Sequence, residues 1–294
     1  MTDDLRRLAT LAARRRGAGE VRTAGRGTEF AFFVADNGEG YRVPRADLSD
    51  RVNDPDVSAY HLQRKEQIFT TWAAEHDLPA AEVRELLEIE GIPVLVVTVV
   101  EDDGSELAGR AFGRMLARMH QTPPPTSSAE HQSPTGNVHH QEDLADTIAA
   151  RLTHRHAALT KYGLEHLPAP HELAEMIRAG TGPDVVNHLD LRRQNVRCQD
   201  GEVKALFDWS NALLAPVELE LARLTEYAEI AENGLELREL IAGYREAGGI
   251  VADHTDAWRL LRLDAAVMLA NLFDSVVPDP RMRDLFLKRS AALL

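Results

Sequence analysis

The sequence predicts an α+β fold with two lobes, a small β-rich lobe over residues 1–101 and a larger, mainly helical lobe over residues 102–294. Three observations lead to this fold class. β-strand patterns mark the first hundred residues, helical spacing of apolar side chains prevails after them, and an acidic turn over residues 101–104 separates the two regions. A chain of 294 residues has room for two lobes around a cleft, because single cores stop growing near roughly 250 residues.

The small lobe is predicted from two strand-like regions and one helix. Residues 29–35 and 41–44 are apolar and β-favouring, and the Asn37-Gly38 pair between them is a strong signal for a tight turn, so this segment predicts a β-hairpin. Residues 58–76 change to helical spacing and predict a helix. The β-branched run over residues 92–100 predicts a strand buried on both faces, just before the acidic turn.

The large lobe is predicted to be helical except for one hairpin. Helical spacing recurs in six segments, at about residues 107–120, 143–163, 217–231, 234–247, 255–274 and 280–293. Two short runs, residues 196–198 and 203–207, flank the pair Asp200-Gly201 and predict a second β-hairpin. Residues 122–142 are rich in Pro, Ser, Thr, His and Gln, so we expect an exposed loop there.

Composition narrows the range of functions. A formal charge of −14 argues against nucleic-acid binding, which needs concentrated Lys and Arg. It would attract a cationic small molecule, and the alternative is that the acidic surface only keeps the protein soluble. No run approaches the roughly 20 apolar residues that span a membrane. The N-terminal segment lacks the apolar core of a signal peptide, and Cys198 is the single cysteine. These features predict a soluble, cytoplasmic protein, and both a monomer and a homodimer are compatible with them.

The strongest functional signal is a set of polar residues around the second hairpin. His188 and Asp190 are followed after four residues by Asn195, and Asp208 stands directly after the hairpin. His-x-Asp followed by Asn at this spacing is typical of a kinase catalytic loop, which carries a base and a metal ligand. Because the hairpin reverses the chain between Asn195 and Asp208, we expect these side chains to meet at one site.

Phosphoryl transfer explains why these residue types occur together. A carboxylate can accept the proton of an attacking hydroxyl, whereas an amide oxygen and a second carboxylate suit the hard Mg²⁺ ion. The sequence therefore predicts Asp190 as catalytic base and Asn195 and Asp208 as magnesium ligands. His188 belongs to the catalytic set, and we expect it to brace the loop by hydrogen bonds rather than to exchange protons. The alternative is a capping Asp, a turn Asn and a surface Asp that never meet.

The residues around Asp190 resemble the catalytic core of the aminoglycoside phosphotransferase and choline kinase-like superfamily, which has a protein-kinase-like fold. The resemblance covers most of the chain. Residues 107–120 are similar to that family's helix ending in Leu-His, here Met119-His120, and residues 216–222 resemble its Pro-x-x-Asp-Leu-Ala segment with Glu220 in place of Asp. The resemblance implies ATP as phosphate donor, with GTP as the alternative donor, and Mg²⁺ as cofactor.

The small lobe matches the family less closely. There a Lys on the strand after the first hairpin grips the nucleotide phosphates and pairs with a helix Glu, and the resemblance implies Arg42 and Glu66 at these positions. An Arg can still bind phosphate, although as a larger planar fork. The alternative for Glu66 is a solvated helix charge. The resemblance also implies nucleotide contacts at four further residues: Gly25, Gly27, Val97 and Val99. The two glycines precede the first predicted strand, and the alternative for their segment is a simple turn.

The implied reaction is transfer of the ATP γ-phosphate to a hydroxyl of a small molecule, an aminoglycoside or another amino-bearing alcohol or natural-product intermediate, which would connect the chain with antibiotic resistance. Four carboxylates on the predicted helices could hold ammonium groups, the alternative for each being ordinary helix surface: Glu218, Glu226, Asp264 and Asp274. One alternative is a metabolic or biosynthetic kinase for choline, homoserine, methylthioribose or a similar compound. A second is a catalytically inactive kinase-fold protein that binds without turnover, which the departures at Arg42 and Glu220 would fit.

Overall fold

The computed structural model describes residues 2–27, 29–45, 59–125 and 143–294. In the small lobe, the five strands form one antiparallel sheet in the order β1-β2-β3-β5-β4. Its elements in chain order are α1 (Thr2–Arg15), β1 (Val21–Arg26), β2 (Phe30–Ala35), β3 (Glu39–Pro44), α2 (Ala59–Glu75), β4 (Val83–Ile89) and β5 (Ile92–Thr98).

Local sequence explains the centre of this sheet. β2 and β3 are joined by the predicted Asn-Gly turn, in which Gly38 has φ +80°, a value that favours glycine. On β3, a side chain at Gly40 would place its Cβ 2.2 Å from Cζ of Phe32, so glycine is required for the Phe32 ring to cover the strand. The apolar face of α1 packs on the sheet through side chains at helical spacing: Leu5, Leu8, Ala9, Ala12 and Ala13.

The large lobe has one continuous apolar core, to which its helices contribute their inner faces. Two small antiparallel sheets, β6 with β9 and β7 with β8, support the segment between α5 and α6. The elements are α3 (Gly109–Gln121), α4 (Leu144–Ala157), α5 (Pro170–Ala179), β6 (Asp184–Asn187), β7 (Val196–Gln199), β8 (Glu202–Leu206), β9 (Leu213–Pro216), α6 (Val217–Tyr227), α7 (Leu237–Glu246), α8 (Asp256–Asn271) and α9 (Pro280–Leu293).

Helix α2 connects the small lobe to the core of the large one. Its aromatic residues Phe69 and Trp72 pack against Trp209, with ring centroids 6.3 and 6.2 Å away. Asp102 and Arg193 form a bidentate ion pair, in which both nitrogen–oxygen distances are 2.8 Å. This pair attaches the segment between β5 and α3 to the large lobe. These contacts hold the segment after β8 against α2. This segment contains Asp208, the predicted magnesium ligand.

The predicted two-lobed α+β fold is confirmed, and both hairpins, the first-lobe helix and the strand before the acidic turn are present. Six elements were not predicted: α1, β1, β4, α5, β6 and β9. The helix predicted over residues 143–163 ends at Ala157. Most of the loop predicted over residues 122–142 lies outside the described residues. The predicted boundary at residues 101–102 falls between β5 and α3 and stays a prediction.

Candidate active site

A cavity of about 1280 Å³ lies between the sheet of the small lobe and the helices of the large lobe. Nine of the ten residues predicted for the site line it: Gly25, Gly27, Arg42, Glu66, Val97, Val99, Asp190, Asn195 and Asp208. His188 is fully buried and does not line it. Residues that are far apart in the chain are therefore brought together as the hairpin pattern predicts.

Asp190 follows β6 on a loop that is held in place by several hydrogen bonds. Its Oδ1 accepts a hydrogen bond from the Tyr227 hydroxyl at 3.1 Å. Its Oδ2 accepts one from Nδ2 of Asn195 at 2.6 Å and one from Arg192 at 3.1 Å. Burial raises the pKa of Asp190 even though the Arg192 charge acts in the opposite direction. A raised pKa improves a carboxylate as a proton acceptor.

His188 lies behind the loop. Its Nδ1 lies 3.3 Å from the backbone N–H of Asp190, which donates to it, and its ring packs 4.5 Å from the Trp209 ring. Burial lowers the pKa of His188 to about 4, so the ring is neutral at neutral pH. Its position favours the bracing role over proton exchange, and its place in the catalytic set stays a prediction.

Glu220 on α6 also holds the loop that carries Asp190. Its carboxylate accepts hydrogen bonds from the backbone N–H groups of His188 and Leu189, the latter at 3.1 Å to each oxygen. Burial raises the pKa of Glu220 to about 7, although these two N–H groups lower it. Glu220, which replaces the Asp of the family motif, therefore supports the loop that carries Asp190. This departure from the motif no longer argues for an inactive protein.

Asp208 joins the two lobes. Its Oδ1 accepts hydrogen bonds from Arg42 at 2.6 Å and from the Ser210 hydroxyl at 2.7 Å, and its backbone N–H donates to Glu66 Oε1 at 3.1 Å. Burial would raise the pKa of Asp208, but the charge of Arg42 and the Ser210 hydrogen bond outweigh it, and the pKa lies below its usual range. Asp208 is therefore ionised at neutral pH.

Arg42 and Glu66 form the predicted pair on β3 and α2. Their side chains approach to 3.9 Å, and Arg42 also donates to Gln63 at 2.7 Å. The Arg42 guanidinium lies over the Phe30 ring, 3.4 Å from its centroid. Glu66 is only 4% exposed, so its interpretation as a solvated helix charge is wrong. Burial raises the pKa of Glu66 to about 7, against the lowering effect of Arg42.

The glycine-containing segment differs from expectation in its position. Gly25 was expected before the first strand, but it lies within β1, which the sequence pattern did not reveal, and Gly27 follows that strand. The N–H of Gly27 donates to the Phe30 carbonyl at 2.8 Å, so the segment closes a β1–β2 hairpin. Gly25 and Gly27 line the small-lobe side of the cavity, as do Val97 and Val99 at and after the end of β5.

The residues present fit a hard cation. The side-chain amide nitrogen of Asn195 donates two hydrogen bonds to Asp190, one to its Oδ2 and one to its backbone carbonyl. The amide oxygen of Asn195 therefore remains available for a metal. Together with the ionised Asp208 this is an all-oxygen donor set of the kind Mg²⁺ prefers. Among the described residues no cluster of three or more His, Cys, Asp or Glu could hold a metal alone. That agrees with an ion that is bound partly by substrate phosphates.

A model of the phosphotransferase enzyme family matches residues 20–261, which is most of the chain and includes the whole site. The chain belongs to this phosphotransferase family. It is a phosphotransferase of the small-molecule kinase type, as its sequence predicts. No curated protein sequence matches it significantly.

Solved structures share the fold of this phosphotransferase at low sequence identity. A gentamicin complex of the aminoglycoside phosphotransferase APH(2″)-IIa is 10% identical, with TM-score 0.63 and coverage of 97% of this chain and 95% of the other. A macrolide 2′-phosphotransferase from Brachybacterium faecium is 18% identical, with TM-score 0.57 and coverage of 98% and 97%. An ethanolamine kinase from Plasmodium vivax is 10% identical, with TM-score 0.60 and coverage of 93% and 81%. The protein-kinase-like fold is thereby confirmed.

Several residues of the phosphotransferase site were missed by sequence reasoning. Tyr227 and Arg192 bond Asp190, and Ser210 bonds Asp208. Arg192 and Ser210 each stand two residues from a predicted carboxylate, so proximity in sequence was an available signal. Tyr227 is 37 residues from Asp190, and nothing local marks it.

No helix of the described ranges has the length and apolarity needed to cross a membrane.

The four carboxylates expected to hold ammonium groups do not line the cavity. Three are paired with basic residues: Asp264 with Arg151 and Arg155, Glu226 with Arg262 and Arg289, and Asp274 with Lys161. The fourth, Glu218, accepts a hydrogen bond from the backbone of Gly182 at 3.2 Å. The role predicted for these carboxylates is wrong, because each already has a partner within the fold.

Proposed function

We propose that this phosphotransferase moves the γ-phosphate of ATP to a hydroxyl group of a small molecule, with Mg²⁺ as cofactor and GTP as the alternative donor. One observation carries the proposal: Asp190 from the large lobe and the Arg42–Glu66–Asp208 group across the lobes face one cavity. A base and a phosphate-binding cation on opposite sides of a cleft suit in-line transfer, in which positioning and electrostatics supply most of the catalysis.

Each group has a defined task in this reaction. Arg42 binds the nucleotide phosphates, and Glu66 holds the Arg42 guanidinium in place through their ion pair. Asn195 and Asp208 would hold Mg²⁺. A bound Mg²⁺ ion would supply positive charge beside the phosphate oxygens. Asp190 accepts the proton of the acceptor hydroxyl while that oxygen bonds to the γ-phosphorus and the bond to the bridging oxygen of ADP breaks. Arg192 contributes positive charge beside Asp190.

The proposal includes the setting of the reaction. We expect the protein to act in the cytoplasm as a monomer or homodimer, without a nucleic-acid or membrane partner. An aminoglycoside or another amino-bearing alcohol is one candidate acceptor, because structures of similar fold include a gentamicin complex of an aminoglycoside phosphotransferase. Such an acceptor would also support a role in antibiotic resistance. The carboxylates predicted to bind it are paired elsewhere, which weakens this candidate.

Replacing Asp190 by Asn tests the reaction. Asp190→Asn keeps the size of the side chain but removes the proton acceptor, so we expect turnover to fall by roughly 10² to 10⁴-fold with nucleotide affinity nearly unchanged. The measurement is ATP turnover across aminoglycosides, amino alcohols, hydroxy acids and sugars, with mass spectrometry for the gain of one phosphate. Asp200→Asn is the matched control, since Asp200 is exposed in a hairpin turn and should leave turnover unchanged.

The outcome separates the candidates. Full activity of Asp190→Asn would remove this residue from the mechanism. If the wild-type protein binds nucleotide but phosphorylates none of the acceptors, the chain is an inactive kinase-fold binding protein.

A further inference from the structure

Six large-lobe arginines line the cavity, and four of them, apart from Arg197 and Arg281, are here called the arginine wall. Arg151 and Arg155 lie on α4, Arg192 in the loop after Asp190, and Arg223 on α6. The net charge of the chain is −14, but this wall of the cavity is rich in arginine. The net charge of the whole chain therefore does not predict the charge around the site.

Two carboxylates, Asp264 and Asp190, bond arginines of this wall. Asp264 is fully buried and accepts hydrogen bonds from Arg151 at 2.6 Å and from Arg155 at 3.0 Å, so one carboxylate serves two guanidinium groups. Asp190 is the partner of Arg192.

Arg223 is the clearest sign of a missing anion. It is 5% exposed, and its Nη1 donates to the neutral carbonyl of Leu189 at 2.9 Å. Its Nε is buried and has no hydrogen-bond partner among the described residues. Glu220, one helical turn away on α6, already accepts two backbone N–H groups of the catalytic loop. A buried guanidinium with an unmet donor is costly unless a ligand completes its hydrogen bonds.

Mutual repulsion acts at Arg151, whereas at Arg223 burial lowers the pKa but Tyr227, Asp264, Asp190 and Glu220 outweigh it. Burial lowers the pKa of Arg151, and the positive charges of Arg155 and Arg223 lower it further, while Asp264 acts in the opposite direction. Guanidinium groups that repel one another in a buried wall gain most from a bound anion. Their planar, two-pronged geometry matches carboxylate and phosphate groups.

We propose that this arginine wall binds an anionic group of the phosphate acceptor, a carboxylate or a phosphate ester, so that the acceptor is a negatively charged alcohol. The proposal rests on the proposed function, because it names the acceptor class of the same site. A polycationic aminoglycoside would be repelled by these four arginines.

The neighbouring wall indicates an apolar part of the same acceptor. α8 ends in a π-helical turn over Leu272–Val276, and the cavity there is lined by Met268, Leu269, Leu272 and Phe273. If an aromatic or aliphatic part of the acceptor packed between these side chains, its anionic group would bond Arg151 and Arg223 and its hydroxyl would face Asp190. The acceptor class is therefore an amphipathic hydroxy acid or phosphorylated alcohol.

The triphosphate of ATP is the competing explanation for the positive charge. Arg192 bonds Asp190 and can serve the transferred phosphate, and Arg42 lies on the small-lobe strand β3. Arg151 and Arg223 lie on large-lobe helices and are the residues that the test must examine. The experiment therefore uses protein that is saturated with a non-hydrolysable ATP analogue and Mg²⁺, so that nucleotide phosphates occupy their own site.

The test compares probes that differ only in charge. Binding of 4-(hydroxymethyl)benzoate, the corresponding phenylphosphonate, the neutral benzamide and the cationic benzylamine is measured by calorimetry on the full chain. We expect the carboxylate or the phosphonate to bind at least about tenfold more tightly than the benzamide, as charge-assisted hydrogen bonds imply, and the benzylamine to bind most weakly. The two anionic arms distinguish a hydroxy acid from a phosphorylated alcohol.

Variants assign the preference to the wall. Arg151→Gln and Arg223→Gln should each remove most of the advantage of the anionic probes. Asp264 keeps Arg155 as its partner in Arg151→Gln, and thermal unfolding of each variant checks that it is folded. Arg178→Gln is the matched control, since Arg178 also pairs with carboxylates but is exposed and outside the cavity.

Equal binding of all probes, preference for the benzylamine, no binding of either anion at millimolar concentration, or an anion preference that survives in the variants would each overturn the proposal. Turnover with gentamicin but not with anionic alcohols would overturn it while leaving the phosphotransfer reaction intact. Arginine-dependent binding of the anionic probes without phosphorylation of any acceptor would instead support the wall and count against the proposed function.

Discussion

Two residues of the active site have backbone angles in the left-handed region, Leu189 with φ +62° and Asp208 with φ +65°. Such angles are unfavourable for a residue with a side chain, and they persist only where the surroundings over-determine them. At Leu189 the backbone N–H is bound by Glu220 and the carbonyl by Arg223. At Asp208 the backbone N–H is bound by Glu66. The strain is located beside Asp190 and at the predicted metal ligand, where the proposed reaction needs accurate placement.

The residue that departs most from the family resemblance gives a prediction at this scale. Arg42 uses separate guanidinium nitrogens for Gln63 and Asp208 and stacks on Phe30. Lys has one cationic group and no planar fork, so it would keep charge but lose part of this geometry. We expect affinity for the Mg²⁺ complex of an ATP analogue, and turnover, to fall in the order Arg, Lys, Ala. Arg42→Ala should lose roughly 10 to 100-fold in affinity.

Arg45 supplies the control for this series. It lies just after the same strand but does not line the cavity, so Arg45→Ala should bind the analogue as the wild type does. The reverse pattern, with sensitivity at Arg45 and none at Arg42, would mean that the small lobe is aligned wrongly with the family.

At the scale of elements, the large lobe depends on the close approach of α3 and α7. A Cβ at Gly113 would lie 1.9 Å from the Leu240 carbonyl oxygen, and one at Gly243 would lie 2.0 Å from the Arg110 carbonyl oxygen. The two glycines thus allow the helix backbones to touch. Arg110 also pairs with Glu239 and Glu246 on α7 at 3.0 and 2.7 Å. This contact sets the position of α3 beneath the site.

A single methyl group at this contact should be costly. Gly113→Ala would gain up to about 1 kcal/mol from helix propensity, but the clash is with backbone atoms that cannot move aside. We expect a net loss of about 1 to 3 kcal/mol in the free energy of unfolding, measured by urea denaturation. Gly19→Ala is the control, because no atom lies within 4 Å of a Cβ built there. Equal stability of the two variants would show that the helices can separate at little cost.

At the scale of the molecule, buried titratable groups make opposing contributions to acid stability. Burial lowers the pKa of His188 to about 4 and that of His120 to about 3, and it raises the pKa of Glu66 and Glu220 to about 7. The histidines destabilise the fold as pH falls, because only the unfolded chain takes up their protons. The two glutamic acids destabilise it as pH rises from 4.5 toward 7, because only the unfolded chain releases theirs. These effects largely cancel between pH 4.5 and 6.5.

A variant that lacks one of these groups should reveal its contribution. His120 on α3 contacts the Tyr244 hydroxyl on α7 at 2.9 Å and is remote from the catalytic residues. Its folded pKa of about 3 lies below the ordinary value of 6.5, so its stabilising contribution is present above pH 6.5 and is lost as pH falls toward 3. Relative to His120→Gln, the wild type should lose about 1.4 kcal/mol per pH unit over that range.

The measurement is the free energy of unfolding of both proteins between pH 7.5 and pH 5, with the slope rather than the absolute difference as the result. Parallel profiles would mean that His120 takes up its proton in the folded protein, and its low pKa would be wrong.

The sequence by itself determined those features that depend on neighbouring residues. Asn37-Gly38 and Asp200-Gly201 define tight turns, helical periodicity marks most of the long helices, and the order of His188, Asp190, Asn195 and Asp208 indicates phosphoryl transfer. In α1 the residues Leu5, Leu8, Ala9 and Ala12 stand at helical spacing, so a local signal for this helix exists as well. β6 and β9 are short, and their pairing joins Asp184 to Pro216 across the catalytic segment, so no local pattern predicts them.

The tertiary structure decided which charges meet. Arg42 and Asp208 are 166 residues apart, and the Arg151–Asp264 pair joins residues 113 apart. A carboxylate on a helix looks the same in sequence whether it faces a ligand or a buried arginine, and this is why Asp264 and Glu226 were assigned to the acceptor. The arginine wall could not be predicted from an overall charge of −14 for the same reason, since local charge depends on which side chains the fold buries together.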